Sequence, residues 1–268
     1  MIVEATSADG TRVGCEVIGH GPPLLAVHGS VASRERWSGP VRDALAQRFR
    51  VYLMDRRGRG LSADEAPGPY ALEREAEDIR ALVERIGAPT LVLAHSYGGA
   101  CALEAALDCP GIERMLVYEP AFADGGGAIF HEPALEEARL ALAGGDRDGA
   151  VTLFYRRALE LDEATVASLR ATPVWEMRLA AVNTLPREGE AANAYRLDPV
   201  GMARIAAPVR FLLGAETAPG LRRATLAAHA AIPGSELREL AGHGHTAMDL
   251  DSDLFVAEVT DWLLVPTT

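Results

Sequence analysis

The chain has 268 residues, 49% hydrophobic and 24% charged, a balance that excludes a disordered, collagenous or coiled-coil protein and allows a sizeable buried core. Thirty-eight acidic residues against 26 basic ones leave a net charge of -12, which repels phosphate backbones and anionic lipid surfaces, so neither a nucleic-acid nor a membrane partner is expected. All the basic residues are arginine, which rules out Schiff-base lysine chemistry and a P-loop lysine. Cys15, Cys101 and Cys109 are odd in number and form no CxxC pair, suggesting neither a disulfide framework nor a zinc site. The start Met1-Ile-Val-Glu lacks the basic and apolar regions of a signal peptide, and no run approaches the roughly 18 to 20 apolar residues of a bilayer span. A cytoplasmic location is expected, with a small molecule, and at most a second copy of the chain, as partner.

In chain order, four short apolar runs read as buried parallel strands: Leu24 to His28, Arg50 to Met54, Thr90 to Ala94 and Arg114 to Tyr118, each followed by turn-forming residues. Between them, Ser33 to Arg48, Leu72 to Ile86 and Tyr97 to Asp108 have the length and pattern of crossover helices. A doubly wound, mostly parallel α/β sheet follows. From Ala121 to about Ile205 the strand signal stops and helical stretches take over, among them Pro133 to Ala143, Gly149 to Leu161 and Glu163 to Ala171. Strand character returns at Pro208 to Leu213 and Glu236 to Leu240, with helices expected at Gly220 to Ala231 and Asp251 to Leu264. The expected division is a core of residues 1–120 and 206–268 with a helical cap, 121–205, inserted in it.

The chemistry concentrates in three places. Ala94-His95-Ser96-Tyr97-Gly98-Gly99 lies between an expected strand and helix, where small flanking residues permit the cramped turn of a nucleophile elbow. Ser96 is therefore the candidate nucleophile, and the N–H groups at the start of the helix can stabilise a developing oxyanion. His28-Gly29-Ser30 after an earlier strand offers a second donor, so the amides of Ser30 and Tyr97 are the candidate oxyanion hole. Val31 and His95, next to these groups, are expected to face the substrate. Asp55-Arg56-Arg57-Gly58-Arg59-Gly60 reads as a structural turn whose charges hold loops together. Late in the chain, Gly242-His243-Gly244-His245 supplies a general base, for which His245 is favoured. Paired histidines at i and i+2 also suit a metal, but no carboxylate or third histidine is grouped with them in sequence.

The order HGS, DRRGRG, AHSYGG, helical insert and late GHGH resembles the α/β-hydrolase superfamily over essentially the whole chain. The resemblance implies a Ser, acid, His triad in that chain order and a pocket beneath the cap. In most members the acid is an Asp after the strand matching Val209 to Leu213, but here the turn reads Gly214-Ala215-Glu216-Thr217. Glu216 is one residue out of register. Glu119, which ends the strand after the nucleophile's helix, is the other candidate, with a purely structural carboxylate as its alternative role. The Ser96 to Glu119 spacing, the acid-less turn and Pro173-Val174-Trp175 are together similar to the zearalenone-type lactone hydrolases. That similarity implies a glutamate at this strand end as the triad acid and a cap tryptophan, Trp175, against the substrate. The expected activity is cofactor-free hydrolysis of a carboxylic ester or lactone through Ser96, His245 and Glu119. A C–C bond hydrolase or perhydrolase on the same triad, or a non-catalytic small-ligand binder, are the alternatives.

Overall fold

The computed structural model describes residues 1–64 and 69–265. Its frame is an eight-stranded sheet in the order β1-β2-β4-β3-β5-β6-β7-β8. The strands are β1 (Ile2–Thr6), β2 (Arg12–Gly19), β3 (Pro23–Val27), β4 (Arg50–Asp55), β5 (Thr90–His95), β6 (Ile112–Tyr118), β7 (Val209–Gly214) and β8 (Glu236–Leu240). β1 and β2 pair antiparallel with each other, and β2 antiparallel with β4, whereas every pairing from β4 through β8 is parallel. The mostly parallel α/β sheet expected from the apolar runs is therefore present, extended at one edge by an antiparallel hairpin that those runs did not announce.

Strand periodicity divides the core in two. In β3, Leu25 and Val27 face one apolar layer while Leu24 and Ala26 face the other; in β5, Val92 and Ala94 oppose Leu91 and Leu93 in the same way. Helices α2 (Leu72–Ile86), α3 (Tyr97–Ala106) and α10 (Pro219–Ala231) cover the first face. Helices α1 (Pro40–Ala46) and α12 (Ser252–Leu263) cover the second, where Trp37 stacks on Phe255. The Ala- and Gly-rich sequence of α3 lets it lie against the sheet with nine of its ten residues buried.

Two helices expected as continuous are interrupted. Ser33 to Arg48 divides into a 3₁₀ turn (Arg34–Trp37) and α1, because Gly39 adopts φ 69° and Pro40 opens a fresh first turn. Gly149 to Leu161 is α5 (Arg147–Leu153) running into a π-helical turn (Phe154–Ala158). Between β6 and β7 the chain also forms α4 (Glu132–Ala143), α6 (Glu163–Arg170), α7 (Pro173–Ala181), α8 (Leu185–Ala194) and α9 (Pro199–Met202), and no strand among the described residues. This helical segment is tied to the sheet electrostatically: Glu188 of α8 accepts hydrogen bonds from Arg59 and lies 3.3 Å from Arg56. Burial raises the Glu188 pKa, but the two guanidinium groups outweigh it and hold the carboxyl below its ordinary range. A short helix, α11 (Ala247–Leu250), joins β8 to α12. Among the described residues no helix is long and apolar enough to cross a membrane.

Candidate active site

Ser96 sits between β5 and α3 with φ 58° and ψ -129°, a left-handed conformation that costs on the order of 1–3 kcal/mol in a non-glycine residue. The surroundings over-determine it: its N–H donates to the Tyr118 carbonyl (2.9 Å), and its carbonyl accepts from Gly99 (2.8 Å) and Ala121 (3.1 Å). Among the described residues only Val31, Ser96, Glu119 and Glu160 combine a side chain with positive φ. Three of the four are residues singled out from the sequence.

The His28-Gly29-Ser30 loop lies directly against this elbow. A Cβ on Gly98 would come within 2.3 Å of the His28 carbonyl, and one on Gly29 within 2.7 Å of the Ser96 Cβ. Tyr97 is the first residue of α3, so its amide has no helical carbonyl four residues behind it to bond. The loop is held from beneath by the arginine-rich turn after β4. Arg56, fully buried, donates to the Gly29 carbonyl (3.0 Å), forms a two-point pair with Glu75 (2.7 and 2.6 Å) and lies over the Tyr97 ring. Its own N–H donates to His28 Nε2 (3.1 Å), while His28 Nδ1 donates to the Gly29 carbonyl (2.8 Å), which fixes the tautomer. Burial keeps His28 neutral, its pKa well below the ordinary range.

His245 lies in the turn between β8 and α11, and its Nδ1 donates to Glu119 Oε2 at 2.5 Å. Glu119, completely buried, follows β6 with φ 46°. Its carboxylate is held at three points, since Oε1 accepts from the Gly214 amide (2.6 Å) and Oε2 also accepts from the Thr217 hydroxyl (2.8 Å). The turn that lacks an acid thus supplies two donors that orient an acid from the neighbouring strand. Glu216, exposed, makes no hydrogen bond to His245, and His243 faces Asp251 (3.8 Å), so the two late histidines address different partners.

His95 supports His245 from behind. Its Nε2 donates to the His245 carbonyl (2.9 Å), the rings are 4.4 Å apart, and burial holds it neutral with its pKa well below the usual value. Tyr118 donates to the Gly244 carbonyl and accepts from the Ala247 amide, pinning the same turn on its other side.

Two cavities meet at His245. One, of about 540 Å³, is lined by Ser96, His245 and residues of the helical segment such as Phe130, Phe154 and Arg157. The other, of about 660 Å³, is lined by His245, Thr217, Tyr155, Val174 and Arg178 among others. Three expected wall residues lie elsewhere. Trp175 is packed inside the helical segment, stacked on Tyr155, with its indole N–H on Asp148 (2.9 Å) and Arg170 over its ring; it lines neither cavity. Its helix turns Val174 and Arg178 to the cavity instead. Val31 and His95 also line neither cavity: the Val31 side chain is in the core, and His95 is behind His245.

Two site residues went unread in the sequence. Thr217 was seen only as a missing charge, although a hydroxyl can donate to a carboxylate supplied from another strand. Arg178 falls on the inward stripe of α7, with Trp175 and Ala181 at i-3 and i+3, a spacing that does place a charge on a buried face.

The model of the alpha/beta hydrolase family matches residues 24–259. A magnesium-chelatase 30 kDa subunit of Rhodobacter capsulatus is 28% identical over 91% of this chain and 87% of its own length. An alpha/beta hydrolase from Sphaerobacter thermophilus is 30% identical in its solved structure, covering 96% of this chain and 100% of that one with a TM-score of 0.80. The esterase RhEst1 from a Rhodococcus species is 25% identical over 98% of both chains, with a TM-score of 0.77.

Proposed function

Because the chain belongs to the alpha/beta hydrolase family, we propose that it hydrolyses a carboxylic ester or lactone with Ser96 as nucleophile, His245 as base and Glu119 as acid. The observation that carries this reading is the 2.5 Å bond from His245 Nδ1 to a buried, fully oriented Glu119, with His245 and Ser96 on the wall of one cavity. With Nδ1 committed to the carboxylate as donor, Nε2 is the nitrogen free to take the Ser96 proton. Ser96 Oγ attacks the carbonyl, and the amides of Ser30 and Tyr97 receive the oxyanion. His245 returns the proton to the leaving alcohol, and water, activated by the same base, releases the acid. The helical segment acts as a cap over the site. The esterase among its structural neighbours supports the same chemistry.

The finer reading, a zearalenone-type macrocyclic lactone, keeps the Glu119 position and the Thr217 turn but loses the tryptophan wall. A second reading draws on the chelatase-subunit name of the relative that spans most of this chain: a non-catalytic subunit that retains the fold. Labelling with a fluorophosphonate probe separates the two. The hydrolase reading expects covalent label on Ser96 of folded wild type and none on Ser96→Ala, with hydrolysis within a panel of p-nitrophenyl esters and macrocyclic lactones. An unlabelled Ser96 in folded protein sinks it.

A further inference from the structure

Arg178 is buried to 5% exposure, yet its guanidinium meets no carboxylate within 4.0 Å among the described residues. Its partners are neutral: Nε donates to the Tyr155 hydroxyl (3.0 Å), and Nη1 to the carbonyls of Val31 (2.5 Å) and Ser30 (3.3 Å). Nη2 has no partner among the described residues. Four other arginines at 5% exposure or less are treated differently: Arg36 holds Asp249, Arg56 holds Glu75, Arg57 holds Asp78, and Arg59 holds Glu188, while Arg114, at 7%, lies over the Trp262 ring. Carbonyls and a phenol satisfy donors but do not neutralise a charge, and a buried charge without its counter-charge is costly. Burial accordingly lowers the Arg178 pKa from the ordinary arginine value.

The missing counter-charge has a place to come from. Arg178 and Tyr155 stand in the wall of the 660 Å³ cavity, a mixed surface of apolar residues such as Val41, Leu161 and Met248 and of hydroxyl groups such as Thr172 and Ser252, which reaches His245. Two acids share that wall, but Asp249 is already held at two points by Arg36, and Glu216 is exposed to solvent. We propose that Arg178 is a specificity-determining residue that binds a carboxylate of the substrate, so that the ester or lactone cleaved here carries a free acid on the fragment housed in this second cavity. This rests on the hydrolase reading for the identity of the reaction, but the anion site itself does not depend on turnover. A guanidinium offers a carboxylate charge-assisted N–H bonds, and Tyr155 beside it adds a hydroxyl.

The test compares mono-p-nitrophenyl esters of succinic, glutaric and adipic acids with the same compounds methylated at the free acid. Wild type should favour the acid of at least one chain length by about tenfold or more in kcat/KM, chiefly through KM. Arg178→Gln should collapse that acid-to-neutral ratio by about tenfold, and Arg178→Lys should keep most of it. Equal rates on each acid and its methyl ester in wild type overturn the proposal before any variant is made. So does an Arg178→Gln variant that loses both substrates alike, which would make Arg178 a strut for the Ser30 and Val31 carbonyls. Calorimetry of monomethyl glutarate binding to Ser96→Ala, with and without Arg178→Gln, separates this inference from the hydrolase reading. Binding that disappears with Arg178→Gln upholds the anion site even if Ser96 takes no fluorophosphonate, whereas binding that persists in the double variant refutes it.

Discussion

Replacing Glu119 by glutamine is the most searching perturbation of this site, because the carboxylate receives three hydrogen bonds and an amide can accept only at one end. If the amide oxygen stays toward the Gly214 N–H, the NH₂ group faces His245 Nδ1 and Thr217. The threonine hydroxyl can rotate to accept, but Nδ1 must then lose its hydrogen, which moves the proton to Nε2 and removes the base. If the amide turns over, its NH₂ meets the Gly214 N–H across the present 2.6 Å, two donors face to face. Either arrangement also removes the negative charge that stabilises the imidazolium. The expected loss in kcat is about 10³- to 10⁴-fold, or roughly 4 to 5.5 kcal/mol of transition-state stabilisation. Glu216→Gln, at an exposed side chain with no bond to His245, should cost less than about threefold, within the range of neutral surface changes. Thr217→Val removes one of the three donors to the charged group and should cost about tenfold, between the two. The assay is steady-state hydrolysis of whichever p-nitrophenyl ester wild type cleaves best, with the fluorophosphonate labelling rate as a readout independent of deacylation. A Glu119→Gln loss below about tenfold, or a larger loss for Glu216→Gln, would refute the assignment of the acid.

Trp175→Ala should lower stability by about 3–5 kcal/mol in urea unfolding, since it empties a packed site, while changing activity on a bulky lactone and a short acetyl ester in equal proportion. A loss confined to the bulky substrate would return the tryptophan to the substrate wall. Glu188→Gln strips Arg59 of its carboxylate and should cost about 3–5 kcal/mol, also read by urea unfolding; a loss under about 1 kcal/mol would count against the tie between helical segment and sheet. The folded-state pKa of Glu188 is depressed, so its contribution is fully present above the ordinary glutamate value near about 4.3 and is lost as pH falls toward the folded value. Wild type should therefore lose more stability than Glu188→Gln between about pH 4.5 and 2.5, and identical acid profiles would contradict this.

How legible these features were depends on whether one residue's environment is local. Strands β3 to β7 are apolar runs ended by turn residues, and the sheet passes through them where the sequence says it should, while β8, Glu-Leu-Arg-Glu-Leu, is a mostly exposed edge strand. β1 escaped because an edge strand needs only alternate burial, and Val3 and Ala5 between exposed residues make no apolar run; β2, paired on both sides, escaped because Gly14 and Glu16 interrupt Val13, Cys15 and Val17. The candidates Ser96, Glu119 and His245 could be picked out because each stands at the end of a strand or in a glycine-rich turn. Trp175 and Arg178 share one helical face, and nothing along the chain tells which of them reaches a cavity and which packs against Tyr155. Both meet Tyr155 of the neighbouring π-helical turn, Trp175 by stacking and Arg178 through the hydroxyl, a contact between segments distant in sequence.

The proposed acid, Glu119, stands just past the end of β6, and that position has a further consequence. Ser96 and Glu119 belong to one β5–α3–β6 unit, so their relative position is set by a contiguous stretch of chain and a single parallel pairing, His95 opposite Tyr118. The turn after β7, relieved of carrying the charge, contributes only donors to it, through one backbone amide and one hydroxyl. Glu216, Thr217 and Ala218 line the second cavity. Glu216 and Ala218, whose side chains make no bond to Glu119, can therefore vary at the cavity wall without moving the proposed catalytic charge, whereas Thr217 is held by its bond to that carboxylate.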